Sequence, residues 1–468
     1  MKKIYKFLVI TALLLTTVTS KAQHDIALTL LPNFSYSNMY NPAIPVKSKL
    51  VIGAGISNIN FSVFNSGIKY DNLFTSHSDG SLVLDANKFI NSLDDNNFIG
   101  SNMSMDVARV GIRLGRLFVD VNYRMKVDAE LHYSRDFLGF FVNGNGNYLG
   151  KDNPANLNLG ADMSLYSEMS LGLQCRITDK FYVGVRPKVL MGLANLSVNS
   201  DGTKIYTDED TYEMTADVNL NMEAATMLNI DEVHRLGDFL TYFEEIDEIV
   251  TDNLLDIQRN VGYGIDFGFS YEMNKHFGIA AGVYDLGYIT WKDTKFKHSN
   301  KENIVINDAL FDSFDDVMNM NLDFSELYDT MLNDVWANDS LCSGGEYKTY
   351  LKTRLMLQGY LQLNSLARFT AIGQMVYLNE EYRPALTLAY SGSIFRLLNI
   401  TASYTMSEYS GNSIGAGIGI NLGPLNFYAV TDNIMIARKY NASPMEMLTS
   451  FESANIRVGF LLTFGNRR

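Results

Sequence analysis

Hydrophobic and polar positions alternate along most of this chain. From Leu117 to Leu131 every odd position is apolar, whereas the even ones are Phe118, Asp120, Asn122, Arg124, Lys126, Asp128 and Glu130. A period of two marks a β-strand, whose successive side chains point to opposite faces. At roughly 3.3 Å per residue this strand would be about 50 Å long, against the about five or six residues of an ordinary soluble strand. The same alternation runs through 157–177, 261–273, 398–406, 414–422 and 456–464.

The pattern predicts about fourteen strands: 49–64, 101–114, 117–132, 157–177, 181–198, 260–273, 277–291, 347–363, 369–378, 385–391, 398–406, 413–422, 425–431 and 454–464. Short connections (Gly115-Arg116, 178–180, 274–276, 364–368, 391–397, Gly423-Pro424) alternate with longer ones. The longer ones are 65–100, 133–156, 199–259, 293–346, 379–384, 407–412 and 432–453. Tight turns at one end and bulky loops at the other are the pattern of an all-β outer-membrane barrel of antiparallel strands. Phe118, Phe181, Phe277, Phe369, Phe395, Phe427 and Phe464 cluster at the short-turn end, as an aromatic girdle would. In this reading the odd residues of 117–131 face lipid and the even ones a polar lumen. The sheet must close, because lipid offers the backbone no hydrogen-bond partners. Crossing takes about nine to eleven residues, so the longest strands should project beyond the outer surface. A secreted soluble β-protein is the alternative.

Composition narrows this further. With 12% aromatic and 19% charged residues and only eight prolines, the chain does not have the make-up of a disordered protein. The opening MKKIYKFLVITALLLTTVTSKAQ has a basic start, an apolar run over 7–15 and the small-x-small triplet Ser20-Lys21-Ala22. This predicts a signal peptide, 1–22, cleaved after Ala22; the apolar run is too short for a membrane-spanning helix. Loss of its four lysines takes the formal net charge from −14 to −18. An acidic excess of that size argues against a nucleic-acid partner. Cys175 and Cys342 are the only cysteines and are expected to be free.

The segment "LLPNFSYSNMYNPAIP", with Asn41-Pro42-Ala43 ahead of the first strand, resembles the NPA element of FadL-type long-chain fatty-acid transporters. Together with the strand count, "YDLGYITW" at 284–291 and "FYAVTDNI" at 427–434, nearly the whole chain after the leader resembles a family of FadL-related Bacteroidota outer-membrane proteins, a domain of unknown function. It is more distantly similar to the PorV and PorQ barrels of type IX secretion. The resemblance implies that 23–48 folds inside a barrel formed by 49–468, as a plug with Asn41, Pro42 and Ala43 at its gate. It also implies passage of hydrophobic molecules through a lateral gap made by a kinked strand. The third strand here is unbroken; the alternation slips instead at Ser57/Asn58, Val107/Ala108 and Val283–Asp285, where a one-residue slip swaps the faces. The slip at Asp285-Leu286-Gly287, flanked by Gly282 and Trp291, is the candidate wall opening; a bulge that tightens barrel curvature is the other reading.

Catalytic and cofactor motifs are sparse. No H-E-x-x-H, C-x-x-C, P-loop or G-x-G-x-x-G is present. The one G-x-S-x-G, Gly411 to Gly415, opens a strand instead of joining a strand to a helix, and the six histidines lack ligand spacing. No enzyme activity is expected. In the lumen, Asp120, Arg124, Lys126, Asp128 and Glu130 would neighbour Arg109 and Arg113 on one side and Asp162, Glu168 and Arg176 on the other. Mixed signs suggest cross-strand ion pairs that hold a plug or fill the lumen; a single-sign ring would have suggested ion selectivity.

Two external segments carry apolar residues at helical spacing: 231–257, with Leu236, Leu240 and Phe243, and 308–337, with Phe311 and Phe314. They would form a lid, bind a hydrophobic ligand or meet a partner protein. The clusters Asp208-Glu209-Asp210 and Asp315-Asp316 are candidates for Ca²⁺, or for bridging lipopolysaccharide through divalent ions. Two functions stay open: uptake or binding of a hydrophobic small molecule, and a non-transporting barrel that docks a secretion or surface-assembly protein. The leader reading is checked by the intact mass of protein purified from outer membranes, which should correspond to a chain starting at Gln23; a mass that includes 1–22 overturns it.

Overall fold

The computed structural model describes residues 26–32, 34–67, 70–76, 82–226, 260–292, 294–305, 345–378, 381–407, 413–433 and 453–465. Fourteen antiparallel strands form one closed barrel. In chain order they are β1 (Leu50–Asn65), β2 (Asn96–Leu114), β3 (Leu117–Ser134), β4 (Leu159–Arg176), β5 (Phe181–Asn199), β6 (Asn260–Glu272) and β7 (Phe277–Trp291). They continue as β8 (Tyr347–Tyr350 and Thr353–Gln362), β9 (Arg368–Leu378), β10 (Glu381–Ile394), β11 (Leu398–Ser407), β12 (Ser413–Leu422), β13 (Leu425–Thr431) and β14 (Ser453–Phe464). Each pairs with its sequence neighbour, and β1 closes the ring on β14 with Leu50 opposite Phe464. Among the described residues no helix is long and apolar enough to cross a membrane.

Alternation does what the sequence promises. On β3, Asp120 and Asn122 are buried in the lumen while Val121 is 48% exposed on the outside. The outer face carries Val110, Ile112, Leu171, Phe267, Leu357, Leu388 and Ile418, all exposed, an apolar surface suited to lipid. All three register slips are bulges. Pairing shifts between Ala54 and Asn58 on β1, between Asp106 and Ala108 on β2, and between Ile265 and Phe267 on β6, opposite Asp285 of β7. The β1 bulge turns through Gly55 at φ +67°, a conformation that side-chain-bearing residues rarely adopt. It sends Ser57 inward, where its hydroxyl accepts from Tyr36 Oη at 3.2 Å.

Two expectations need correction. Phe118 does not join the aromatic girdle: it shares the even parity of Asp120, points inward, is fully buried, and lies under the Arg113 guanidinium. Phe277, Phe369, Phe395, Phe427 and Phe464 are exposed at the short-turn end. The connections over 199–259 and 293–346 are also more than loops. Met214–Thr226 continues the ladder on the outer end of β5, with Thr226 opposite Ala194. It pairs in turn with Thr294–Val305, so the wall rises beyond β6 and β7. Lys204–Thr207 and Ala155–Asn156 add to this sheet. A helix, Arg135–Asn143, is capped by Ser134, whose Oγ accepts from Phe137 N at 3.1 Å. Its Phe140 packs on Ala155, Leu157, Ile205, Met214 and Ala216. The outer end is therefore a folded layer with its own small core.

The outward assignment is tested by Val121→Arg. A cation on the lipid face near mid-depth costs about 2–4 kcal/mol, so denaturant unfolding in lipid should show a loss of that order. Unchanged stability would mean that this face does not meet hydrocarbon.

Candidate functional site

The barrel interior is occupied by residues 26–48. Ala27, Leu28, Leu31, Phe34, Tyr36, Met39 and Val46 pack against Val51, Phe118, Tyr428, Val430 and Leu461 of the wall. Ile26 and Leu30 pack against Tyr284, Met356, Ile372 and Ala389. The segment thus touches β1, β3, β7, β8, β9, β10, β13 and β14 at once. Its start is held by Asp432, whose Oδ1 accepts from Ile26 N at 3.1 Å and Ala27 N at 2.7 Å.

Asn41, Pro42 and Ala43 form the tightest part. Asn41 O accepts from Ile44 N at 2.9 Å, closing a turn with Pro42 at its second position. Asn41 Oδ1 accepts from Ala43 N at 2.8 Å, and its Nδ2 donates to Ala281 O at 3.1 Å, tying the turn to β7. Gln174 of β4 reads the following backbone: Nε2 donates to Pro42 O at 2.9 Å and Ile44 O at 2.6 Å, and Oε1 accepts from Val46 N at 3.3 Å. The wall makes room through glycines. A Cβ at Gly184 would lie 2.2 Å from Pro42 C, one at Gly268 2.4 Å from Asn41 Oδ1, and one at Gly419 2.4 Å from the Phe34 ring.

Buried ion pairs stand behind the segment. Asp120 bridges two arginines: Arg109 Nη2 at 2.8 Å and Arg186 Nη2 at 3.3 Å, all three almost inaccessible to solvent. Both also donate to the segment. Arg109 Nη1 donates to Ser35 O at 3.1 Å and Nη2 to Asn38 Oδ1 at 2.6 Å; Arg186 Nη1 donates to Asn38 O at 3.0 Å and Met39 O at 3.3 Å. A second tier lies farther out. Lys188 Nζ meets Asp285 at 2.5 Å and Asp266 at 2.7 Å, Lys126 Nζ meets Glu168 at 3.0 Å and Asp285 at 3.5 Å, and Arg124 pairs with Asp106. Lys352 bridges Asp128 at 3.3 Å and Glu130 at 3.8 Å, and Arg383 reaches Glu130 at 3.5 Å. Asp162 lies apart, exposed on the outer part of β4, where its Oδ1 accepts from Ser197 Oγ at 2.7 Å.

Between the segment and this second tier is a cavity of about 90 Å³. Met39, Met103, Met356 and the rings of Tyr40, Tyr166 and Tyr284 give it apolar surface; Arg124, Lys126, Lys188, Lys352, Arg354 and Arg457 face Asp128, Asp266 and Asp285 across it.

The bulge singled out in the sequence is at the edge of this cavity. Asp285 has φ +52°, a strained conformation for a residue with a side chain. Its N–H donates to Asp266 Oδ1 at 2.8 Å, its carboxylate meets Lys188, and its carbonyl accepts from Thr353 Oγ1 at 3.1 Å. The ladder to β6 resumes on both sides of it, with Gly282 opposite Gly268 and Gly287 opposite Gly264. Leu351 N donates to Gly287 O at 3.0 Å across the break in β8. Trp291 is fully buried, stacks on Tyr347 and donates to Thr349 Oγ1 at 2.9 Å. Leu236, Leu240, Phe243, Phe311, Phe314 and Asp315-Asp316 lie outside the described residues. Asp208 caps its own turn through Oδ1, which accepts from the N–H groups of Asp210 and Thr211. These bonds, the one from Thr211 foremost, hold its carboxyl below the usual range. Among the described residues no three acidic, histidine or cysteine side chains are grouped to hold a metal, and Cys175 is free.

The family of unknown function DUF5723 matches residues 42–432. The chain belongs to this family. That match begins at Pro42, within the turn clamped by Gln174. No curated protein matches the chain. Solved structures that align with it include a Pseudomonas aeruginosa FadL homologue, at 9% identity and TM-score 0.43 over 96% of this chain and 99% of that one. The Ralstonia pickettii toluene transporter TbuX aligns at 11% identity and TM-score 0.40 over 92% and 94%. The Pseudomonas putida toluene transporter TodX aligns at 9% and 0.38 over 96% and 97%.

Several residues of this DUF5723 lumen escape the sequence reading: Asp106, Arg186, Lys188, Arg354, Arg383 and Gly184, whereas Gln174, Asp266, Gly268 and Gly419 fall on the polar face of their strands without a role. Arg186 and Lys188 carry a signal in the sequence, since they share parity with Gly184 on β5. For Gln174 and the glycines no local signal exists, because their role is set by what lies across the lumen.

Asp120→Asn tests the central clamp. It leaves Arg109 buried without its countercharge and Arg186 with only Asp266 at 4.0 Å, and breaking a buried pair in this way costs about 3–5 kcal/mol. The variant should unfold at markedly lower denaturant and expose 26–48 to added protease; wild-type behaviour in both would remove Asp120 as the anchor.

Proposed function

We propose that this chain binds a small amphipathic molecule inside the barrel and passes it across the outer membrane, with 26–48 as a plug that gates the lumen. The observation that supports this best is the cavity itself, which lies between Met39 and Tyr40 of the segment and a charged wall. Apart from the chain's own continuation into β1, the contacts that hold the segment are packing and hydrogen bonds, which can be exchanged. A hydrogen bond contributes about 0.5–1.5 kcal/mol net, and a ligand that replaces a few of them shifts the balance toward an open lumen. The hydrophobic cargo read from the sequence is refined by the lining: methionines and tyrosine rings accept an apolar body, while the cations and carboxylates around them ask for a polar end.

A disulfide between segment and wall tests the gate. A Cβ at Gly268 would lie 3.0 Å from Asn41 Cγ, which puts Asn41→Cys and Gly268→Cys near the spacing of a disulfide. With Cys175 and Cys342 replaced by serine, the pair should block flux of decanoate into proteoliposomes when oxidised and restore it on reduction. Equal flux in both states overturns the gate. Absence of flux for decanoate and for a neutral amphiphile, in wild type as in the reduced variant, overturns passage and turns attention to a protein partner.

A further inference from the structure

Most of the lumen's charge lies on β2 to β8, and the remaining arc of the wall is lined differently. Between Arg368 at the short-turn end and Arg383 at the outer end, the described inward residues of β9 to β13 carry no charge. Gln374, Thr387, Ser391, Thr401, Ser403 and Thr405 are buried there. Some pair within the wall: the hydroxyls of Thr387 and Thr405 share a hydrogen bond of 2.8 Å, and Thr401 Oγ1 donates to Tyr390 O at 3.2 Å. β12 brings no side chain to this face at Gly415, Gly417 or Gly419. What covers the arc is apolar. The short helix Ala27–Leu30 lies against β10 to β13, and the Phe34 ring sits over Gly419.

Two members of this arc find no protein partner. Asn399, on β11 near the short-turn end, is fully buried with both amide atoms unpaired; Ser413, at the outer end of β12, is 5% exposed with its hydroxyl unpaired. Asn399 stands directly across from Gly419, the residue under the Phe34 ring. Buried polar groups in folded proteins are nearly always paired, and facing one with an apolar side chain forfeits its hydration without return. The seated segment therefore leaves this wall unsatisfied, while across the lumen Arg109 and Arg186 donate to its carbonyls. Groups that the closed state penalises are explained by a state in which something else meets them. An amide with donor and acceptor both free calls for a partner that accepts and donates at adjacent positions, as neighbouring hydroxyls do.

We infer that, once 26–48 withdraws, the lumen admits small uncharged polyhydroxy molecules, sugars of monosaccharide size, along the arc from β9 to β13. Barrel diameter grows with strand number, and fourteen strands approach the about 16–18 that enclose an aqueous channel. The Asn399 amide takes two adjacent hydroxyls of the sugar, and Ser413 meets another at the outer end of the path. A charged solute finds no countercharge on this arc, because the carboxylates and cations across the lumen are engaged with one another. The inference rests on the reading that 26–48 is a gate, and it adds a second class of solute to the amphipathic cargo.

Liposome swelling with three pyranoses of similar size tests it: glucose, glucuronate and glucosamine, which are neutral, anionic and cationic. The full-length protein with Asn41→Cys and Gly268→Cys, and serine at 175 and 342, should admit glucose when reduced and exclude it when oxidised. Both charged sugars should enter the reduced form more slowly than glucose. Asn399→Leu, close in shape, should lower glucose entry about threefold relative to decanoate entry, as loss of a neutral hydrogen bond does. That variant removes a buried unpaired amide, so its resistance to denaturant should not fall, which guards against loss of folding. Glucose entry no faster than in protein-free liposomes, with decanoate still switched by the disulfide, leaves the gate standing and overturns the sugar route. Charged sugars entering as fast as glucose, or an unchanged glucose-to-decanoate ratio in Asn399→Leu, overturn it as well. If the disulfide switches neither glucose nor decanoate, the gate fails and the route falls with it.

Discussion

Hydrocarbon offers no hydrogen-bond partner to a peptide group, and the rest of this structure follows from that constraint. A sheet in such a solvent has to close on itself, and β1 does so by pairing with β14 from Leu50–Phe464 at the short-turn end to Phe64–Ser453 at the other. Closure divides each strand's two faces between two solvents. The outer face of β3 offers Val119 and Val121 to lipid, and the inner face turns Asp120 and Asn122 toward the lumen. A polar lumen is thus the counterpart of an apolar exterior in a strand of period two.

That lumen is too charged to be left to itself. Asp120, Arg109 and Arg186 are buried almost completely, and burial of such groups is tolerated only when their remaining donors and acceptors are satisfied. Residues 26–48 meet that demand with backbone carbonyls at Ser35, Asn38 and Met39, so wall and segment complete each other. The same carbonyls are ordinary hydrogen-bond acceptors whose partners can be exchanged. An interior held this way is firm without being permanent, as a gate requires.

Farther out the satisfaction is incomplete. Asp285 is held in a strained backbone conformation and points into the cavity beside Lys188 and Lys126, while Arg354, Tyr284, Tyr40 and Asn60 retain unpaired polar atoms. Strain and unpaired groups gather in one cavity, next to the segment that fills the rest of the lumen.

The sequence by itself determined the strand count, the alternation of faces, the end with short turns and three of the bulges, because a period of two and its slips are set by local covalent geometry. It also showed that Asp120, Arg109, Arg124, Lys126, Asp128 and Glu130 share one face. The alternation of Met214, Ala216, Val218, Leu220, Met222 and Ala224 carries the ladder over 214–226 in the sequence too. Tertiary structure alone decided the pairing. Asp120 on β3 reaches Arg186 on β5, and Lys126 reaches Asp285 on β7, across strands brought together by the curve of a closed ring. It also decided that Gly184 and Gly268 face the Asn41-Pro42-Ala43 turn. Alternation fixes which way a side chain points; what it meets there depends on barrel closure and on the segment inside it, neither of which any local stretch of sequence encodes.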